Sequence, residues 1–171
     1  MSGLNSVRAY IGLGGNIGDP RANMAAALAL LDDAPAISVV AVSPLYSTPP
    51  WGITDQPDFL NAAAELETQL APRELLQCCL ETEAKLHRVR DKRWGPRSVD
   101  LDVLVYGELE IDVPGLELPH PRMMDRAFVL VPLMDLAPEL AIRGVRLDDR
   151  LREIGREGIT RAAGAEWWKG R

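Results

Sequence analysis

The chain is poor in aromatics and in the side chains that do covalent or redox chemistry. Its 171 residues include two phenylalanines, three tyrosines, four tryptophans, two histidines and two cysteines. Few aromatics and a net charge of −6 argue against a nucleic-acid coat, a base-stacking sheet or a surface for anionic membranes. No apolar run approaches the ~18 residues that span a bilayer, and the start Met1-Ser-Gly-Leu-Asn-Ser6 lacks the charged-then-apolar order of a secretory signal. Cys78 and Cys79 are adjacent in a stretch that reads as helix, where neighbouring side chains diverge by about 100° and disulfide geometry is poor. They read as packing thiols in a reducing compartment, which places the protein in the cytoplasm. With no repeat or low-complexity tract, the simplest organisation is one domain over 1–171, with 1–6 and about 160–171 as loosely held termini.

What is present alternates strand and helix. Val7 to Leu13 reads as a buried strand, followed by the turn Gly14-Gly-Asn-Ile-Gly-Asp19 and a helix from Pro20 to about Asp32, with Asp19 as N-cap. Ile37 to Thr48 and Phe59 to Gln69 have strand composition, Pro72 to Arg90 an amphipathic helical stripe, and Ser98 to Tyr106 strand alternation. This β-α-β-β-α-β order predicts an α+β ferredoxin-like sandwich, its helices packed on one face of an antiparallel sheet. Further on, Pro132 argues against an unbroken helix over 122–136, and the stretch from Arg143 reads as a short helix and a loose tail ending in Trp167-Trp168. The glycines at 12, 14, 15 and 18 fit neither Gly-x-Gly-x-x-Gly nor a Walker A loop, so they read as backbone that turns tightly and admits close approach.

The most telling stretch is Arg93-Trp-Gly-Pro-Arg-Ser-Val-Asp-Leu-Asp102. Residues i and i+2 of a strand share a face, so Asp100 and Asp102 point one way while Val99, Leu101, Val103 and Val105 face the core, and Leu104 and Tyr106 fall on the carboxylate side. Alone, Asp-x-Asp is also the pattern of a solvated sheet face. Here it follows Arg88, Arg90, Lys92, Arg93 and Arg97, and a carboxylate pair beside a basic loop suits magnesium and phosphate together. That is the layout of a phosphoryl-transfer site.

Five stretches in order, Tyr10-Ile-Gly-Leu-Gly-Gly-Asn-Ile-Gly-Asp19, Ser43-Pro-Leu-Tyr-Ser-Thr-Pro-Pro50, Gln56-Pro-Asp-Phe-Leu-Asn-Ala62, Arg93 to Asp102, and Pro119-His-Pro-Arg122 with Arg126-Ala-Phe128, resemble the 6-hydroxymethyl-7,8-dihydropterin pyrophosphokinases of folate biosynthesis. The resemblance runs from about residue 8 to about residue 140. It implies transfer of pyrophosphate from ATP to the hydroxymethyl group of the pterin, release of AMP, and two magnesium ions on Asp100 and Asp102. Arg88, Arg90, Arg97, His120 and Arg126 match positions that contact ATP, with Arg88 and Arg97 also counted as catalytic, and Trp94 lies in a loop beside the site. Phe59 and Phe128 match a pair that stacks on the pterin, Asn61 reads its edge, and Thr48, Pro49, Pro50 and Trp51 complete that pocket. The loops Pro49 to Asp58 and Arg88 to Arg97 are expected to close over the substrates. A monomer with small-molecule partners only is expected, the acidic composition arguing against nucleic acid or membrane, and since the chain ends soon after the matching stretch no fused folate-pathway domain is expected. A palm-type nucleotidyl transferase, which attacks the α-phosphate, and a non-enzymatic ferredoxin-like module are the alternatives.

Overall fold

The computed structural model describes residues 5–50, 55–90 and 99–169, the side chains of 87–90 excepted. The first strand, β1 (Val7–Gly15), is followed by α1 (Pro20–Asp33), whose Asp19 carboxylate accepts the Ala22 N–H at 3.1 Å as the sequence predicts. Next come β2 (Ile37–Val42), β3 (Leu45–Thr48), β4 (Phe59–Thr68), α2 (Pro72–Arg90) and β5 (Asp100–Tyr106). The expected single strand from Ile37 to Thr48 is divided at Ser43-Pro44. Pro44 has no N–H for the ladder, and the Ser43 hydroxyl takes a ladder position by accepting the Ala63 N–H at 2.9 Å. Both halves pair antiparallel with β4, which pairs with β1, and β1 in turn with β5 at the edge.

Alternation divides the side chains between two faces. Ala9, Ile11 and Leu13 of β1 and Ala62, Ala64 and Leu66 of β4 join Met24, Leu28 and Leu31 of α1 and Leu75 and Cys79 of α2 in the larger core cluster. The opposite face carries Tyr10, Gly12 and Gly14 from β1 and Phe59, Asn61 and Ala63 from β4. It is not left open, contrary to the expectation of helices on one face only. After the hairpin β6 (Ile111–Val113) and β7 (Leu116–Leu118) and the short turn Met123–Asp125 comes α3 (Ala127–Leu136), which packs on β4 and β3. The helix begins at Ala127 rather than at 122, and Pro132 lies inside it, past the first turn. A two-strand pair, β8 (Ala141–Ile142) and β9 (Val145–Arg146), leads into α4 (Leu147–Ile154) and the edge strand β10 (Thr160–Ala163).

Two further expectations are corrected. Tyr10 pairs with Val105 but Ile11 with Val103, so Leu104 is an extra residue in β5. A bulge of this kind reverses the alternation beyond it. Leu104 and Val105 therefore both join the second cluster with Leu130 and Leu133, while Tyr106 packs on the first and donates its hydroxyl to Leu70 O at 2.6 Å. The tail expected to be loose from about 160 is tied down: β10 pairs with β3, and Trp167, 6 % exposed, donates its indole N–H to Ser43 O at 2.9 Å.

Candidate active site

The face opposite α1 and α2 is built from three neighbouring strands in register. Asn61, Gly14 and Asp100 form one cross-strand row, and Ala63, Gly12 and Asp102 the next. Both aspartates are exposed, and the residues beside them on β1 are glycines that leave space above the sheet. A Cβ on Gly14 would lie 3.0 Å from Asn61 Oδ1, so any larger side chain there would crowd the Asn61 amide. This is the close-approach role that the glycine-rich stretch suggested.

A cavity of about 870 Å³ opens on this face, lined by Gly12, Gly14, Thr48, Pro49, Gln56, Phe59, Asn61, Asp100, Asp102, Arg126 and Phe128 among others. The strand positions explain why the polar groups point into it. Phe59 and Asn61 are i and i+2 on β4, and the Asn61 amide is oriented by donating to Thr48 Oγ1 at 3.2 Å. Buried Asn16, in the glycine-rich turn, donates to Gln56 Oε1 at 2.9 Å and to Pro57 O at 3.2 Å, holding the segment that leads into Phe59. The Arg126 guanidinium carbon lies 5.9 Å from the centre of the Phe128 ring, a cation–π contact that places a positive charge beside an aromatic face.

A second cavity, about 690 Å³, adjoins the β6–β7 hairpin and is lined by Leu76, Leu101, Val113, Leu116, Glu117 and His120 among others. Asp102 lines both cavities. The bulge in β5 helps to build the second one, because Leu104 O accepts the His120 N–H at 2.9 Å. The His120 ring accepts the Arg122 N–H on Nδ1 at 3.1 Å, so in the neutral ring the proton sits on Nε2 as a donor. Burial, aided by Arg126 and Arg122 against the opposing pull of Asp102, holds this histidine below its ordinary pKa.

Most residues singled out in the sequence meet here. Asp100, Asp102, Thr48, Pro49, Phe59, Asn61, Arg126 and Phe128 line the larger cavity, and His120 the second. Pro50 is half-buried and lines neither. Arg88 and Arg90 fall in the last turn of α2, with side chains outside the described residues, as are Trp51, Lys92, Arg93, Trp94, Arg97 and most of the two expected closing loops. Arg122, Asp125, Glu157 and Ile159, outside the expected set, also line the larger cavity. Arg122 stands in a motif already singled out, whereas the other three carry no pattern that marks them. Cys78 and Cys79 form no disulfide, and burial raises both thiols, that of Cys79 to about 12, in keeping with packing groups.

Among the described residues no group of three or more His, Cys, Asp or Glu is assembled as a metal site. Asp100 and Asp102 are thus a two-carboxylate, all-oxygen donor set on an accessible face. That chemistry fits magnesium, which usually keeps one or two carboxylates and completes its shell with water and phosphate oxygens.

An antiparallel α+β sandwich that offers paired carboxylates to two adjoining cavities is the frame of a phosphoryl-transfer enzyme. The profile of the 7,8-dihydro-6-hydroxymethylpterin-pyrophosphokinase (HPPK) family matches residues 10–138, and the chain belongs to this family. It is 51% identical over 154 residues to the 2-amino-4-hydroxy-6-hydroxymethyldihydropteridine pyrophosphokinase of Methylorubrum extorquens, covering 90% of this chain and 98% of that one. The Pseudomonas aeruginosa enzyme of the same name is 48% identical over 159 residues, 92% of this chain and 98% of its own. The fold is that of the Plasmodium falciparum HPPK-DHPS crystal structure, with a TM-score of 0.70 at 13% identity over 92% of this chain. The chain spans 48% of the length of that larger protein.

Proposed function

We propose that the protein transfers the β,γ-pyrophosphoryl group of ATP to the hydroxymethyl oxygen of 6-hydroxymethyl-7,8-dihydropterin, releasing AMP, a step of folate biosynthesis. The observation that carries this reading is the shared lining residue: two cavities, each of a size for one small ligand, meet at Asp102. In this assignment the pterin occupies the larger cavity and the nucleotide the second, with the triphosphate crossing the aspartate pair. A new bond forms between the hydroxymethyl oxygen and the β-phosphorus, and the bond from that phosphorus to the oxygen bridging it to the α-phosphorus breaks. The proton of the alcohol is lost and AMP leaves with the bridging oxygen.

The chain's own groups then have separable tasks. Phe59 and Phe128 stack on the flat pterin, while the Asn61 amide, fixed by Thr48, presents a donor and an acceptor to its edge. Thr48, Pro49, Pro50 and Trp51 complete that pocket. Arg88, Arg90, Arg97 and Arg126 bind phosphate oxygens, His120 offers its Nε2–H to the nucleotide, and Trp94 lies beside it. Asp100 and Asp102 would hold two magnesium ions, and Asp102 orients the attacking hydroxyl. When bound, the ions supply charge neutralisation along the triphosphate. A neutral alcohol attacking a polyanion needs positioning and charge neutralisation rather than a protein nucleophile.

We further infer a cytoplasmic monomer. The protonated packing thiols of Cys78 and Cys79 suit a reducing compartment. The exposed large apolar residues Val40, Leu80, Leu109 and Val145 fall on four separate segments rather than on one. No helix of the described residues is long and apolar enough to cross a membrane.

The functional test is the identity of the nucleotide released. Protein mixed with ATP, magnesium and the hydroxymethyl dihydropterin should form AMP and a pterin diphosphate in equal amounts, and formation of ADP or free pyrophosphate instead would refute the reading.

A further inference from the structure

One wall of the larger cavity comes from beyond the residues that the family profile matches. Glu157 and Ile159 line it, whereas the match ends at residue 138. Three anchors bring this segment to the site. The β10 strand pairs with β3, setting Thr160 opposite Ser47, next to the pocket residue Thr48. Gly158 has φ +84, and a Cβ there would lie 3.2 Å from Pro49 Cδ and 3.4 Å from Cγ, so the turn's backbone rests on the Pro49 ring and needs glycine at that point. Beyond the strand, the Trp167 indole, buried in the first core cluster, donates to Ser43 O at 2.9 Å.

The two lining side chains differ in kind. Glu157 is exposed, at the solvent side. Ile159 is half-buried and packs on the second core cluster, leaving an apolar, β-branched surface toward the cavity. A β-branched side chain has few rotamers, and one anchored on a core cannot swing away from a ligand. We infer that Ile159 is a specificity-determining contact for the pterin, an apolar wall facing the slot between Phe59 and Phe128, and that Gly158 and Trp167 are the positioning residues that hold it there. This rests on the pterin occupying the larger cavity.

The test is methyl NMR on the full chain labelled with 13C at isoleucine methyls. The Ile159 signal is assigned by its loss in Ile159→Val. Addition of 6-hydroxymethyl-7,8-dihydropterin should shift that signal and leave unmoved Ile37, which is buried on the opposite face in the first cluster. In Ile159→Ala the pterin Kd should rise roughly tenfold while the affinity for an ATP analogue stays within about twofold, since the lost contact is apolar and confined to one cavity. An unmoved Ile159 signal when fluorescence shows the protein saturated with pterin, or wild-type pterin affinity in folded Ile159→Ala, overturns the inference. Those results leave the proposed function standing. Failure of the wild type to bind the pterin at all overturns that function, and this contact with it.

Discussion

The carboxylate of Glu83 on α2 accepts the backbone N–H of Leu101 at 2.6 Å, at the one residue between Asp100 and Asp102. β5 is an edge strand, with β1 along one side only, and Glu83 supplies a partner to an N–H on its open side. The aspartate pair is thereby held from behind by a buried group that lines neither cavity. Glu83→Ala should lower stability by about 1–3 kcal/mol, the cost of leaving a buried donor unpaired, and should lower kcat more than it raises either KM. Glu83→Gln keeps an acceptor and should recover most of both. Denaturant unfolding together with steady-state rates decides it; unchanged stability in the alanine variant would remove Glu83 from this role.

The aspartates themselves should behave in the opposite way. Both are exposed, so Asp100→Asn or Asp102→Asn should leave the melting temperature within a few degrees of wild type. Turnover should fall by several orders of magnitude, as expected when charge stabilisation worth several kcal/mol is lost from the barrier. Near-normal rates with magnesium in either variant would contradict the paired-carboxylate assignment.

On the pterin side, Gly14→Ala and Phe128→Ala probe two different contacts. The first pushes a methyl to 3.0 Å from Asn61 Oδ1 and disturbs the proposed edge reader; the second removes the proposed stacking face. Each should weaken pterin binding by about 1 kcal/mol or more with ATP affinity nearly unchanged. Isothermal titration with each ligand separately measures the selectivity, and loss of ATP binding with pterin binding intact would exchange the two cavities.

Much of this site was legible because its logic is local. Asp100 and Asp102, or Phe59 and Asn61, share a face through period-two alternation alone, and Asp19-Pro20 starts α1 by capping chemistry written in two residues. What stayed hidden depends on contacts between distant segments. The bulge at Leu104 exists only in the pairing of β5 with β1, so the faces of Val105 and Tyr106 could not be read from alternation. Glycines and mixed charges make the tail read as loose, whereas its order comes from pairing with β3 and from Trp167 reaching Ser43, 124 positions earlier. The same long-range docking of α3 on β4 and β3 explains why helices were expected on one face only.

His120 gives a pH prediction. Burial holds its pKa below 6.5, and the neutral ring accepts the Arg122 N–H, so protonation would oppose a donor to a donor. Below 6.5 the unfolded chain takes up this proton before the folded one, so the histidine's contribution to stability is fully present above about pH 6.5 and is lost as pH falls toward the folded value. His120→Gln, which cannot titrate, should flatten that limb of the stability profile. An identical acid limb in the variant would show that other groups set it.

If the pterin alcohol attacks the β-phosphorus of ATP, parallel reactions with α-labelled and γ-labelled ATP give it away. The γ label should appear wholly in the pterin diphosphate and the α label wholly in AMP. Appearance of the α label in the pterin product would mean nucleotidyl transfer, and appearance of the γ label in a pterin monophosphate beside ADP would mean simple phosphorylation; either result rules out attack at the β-phosphorus.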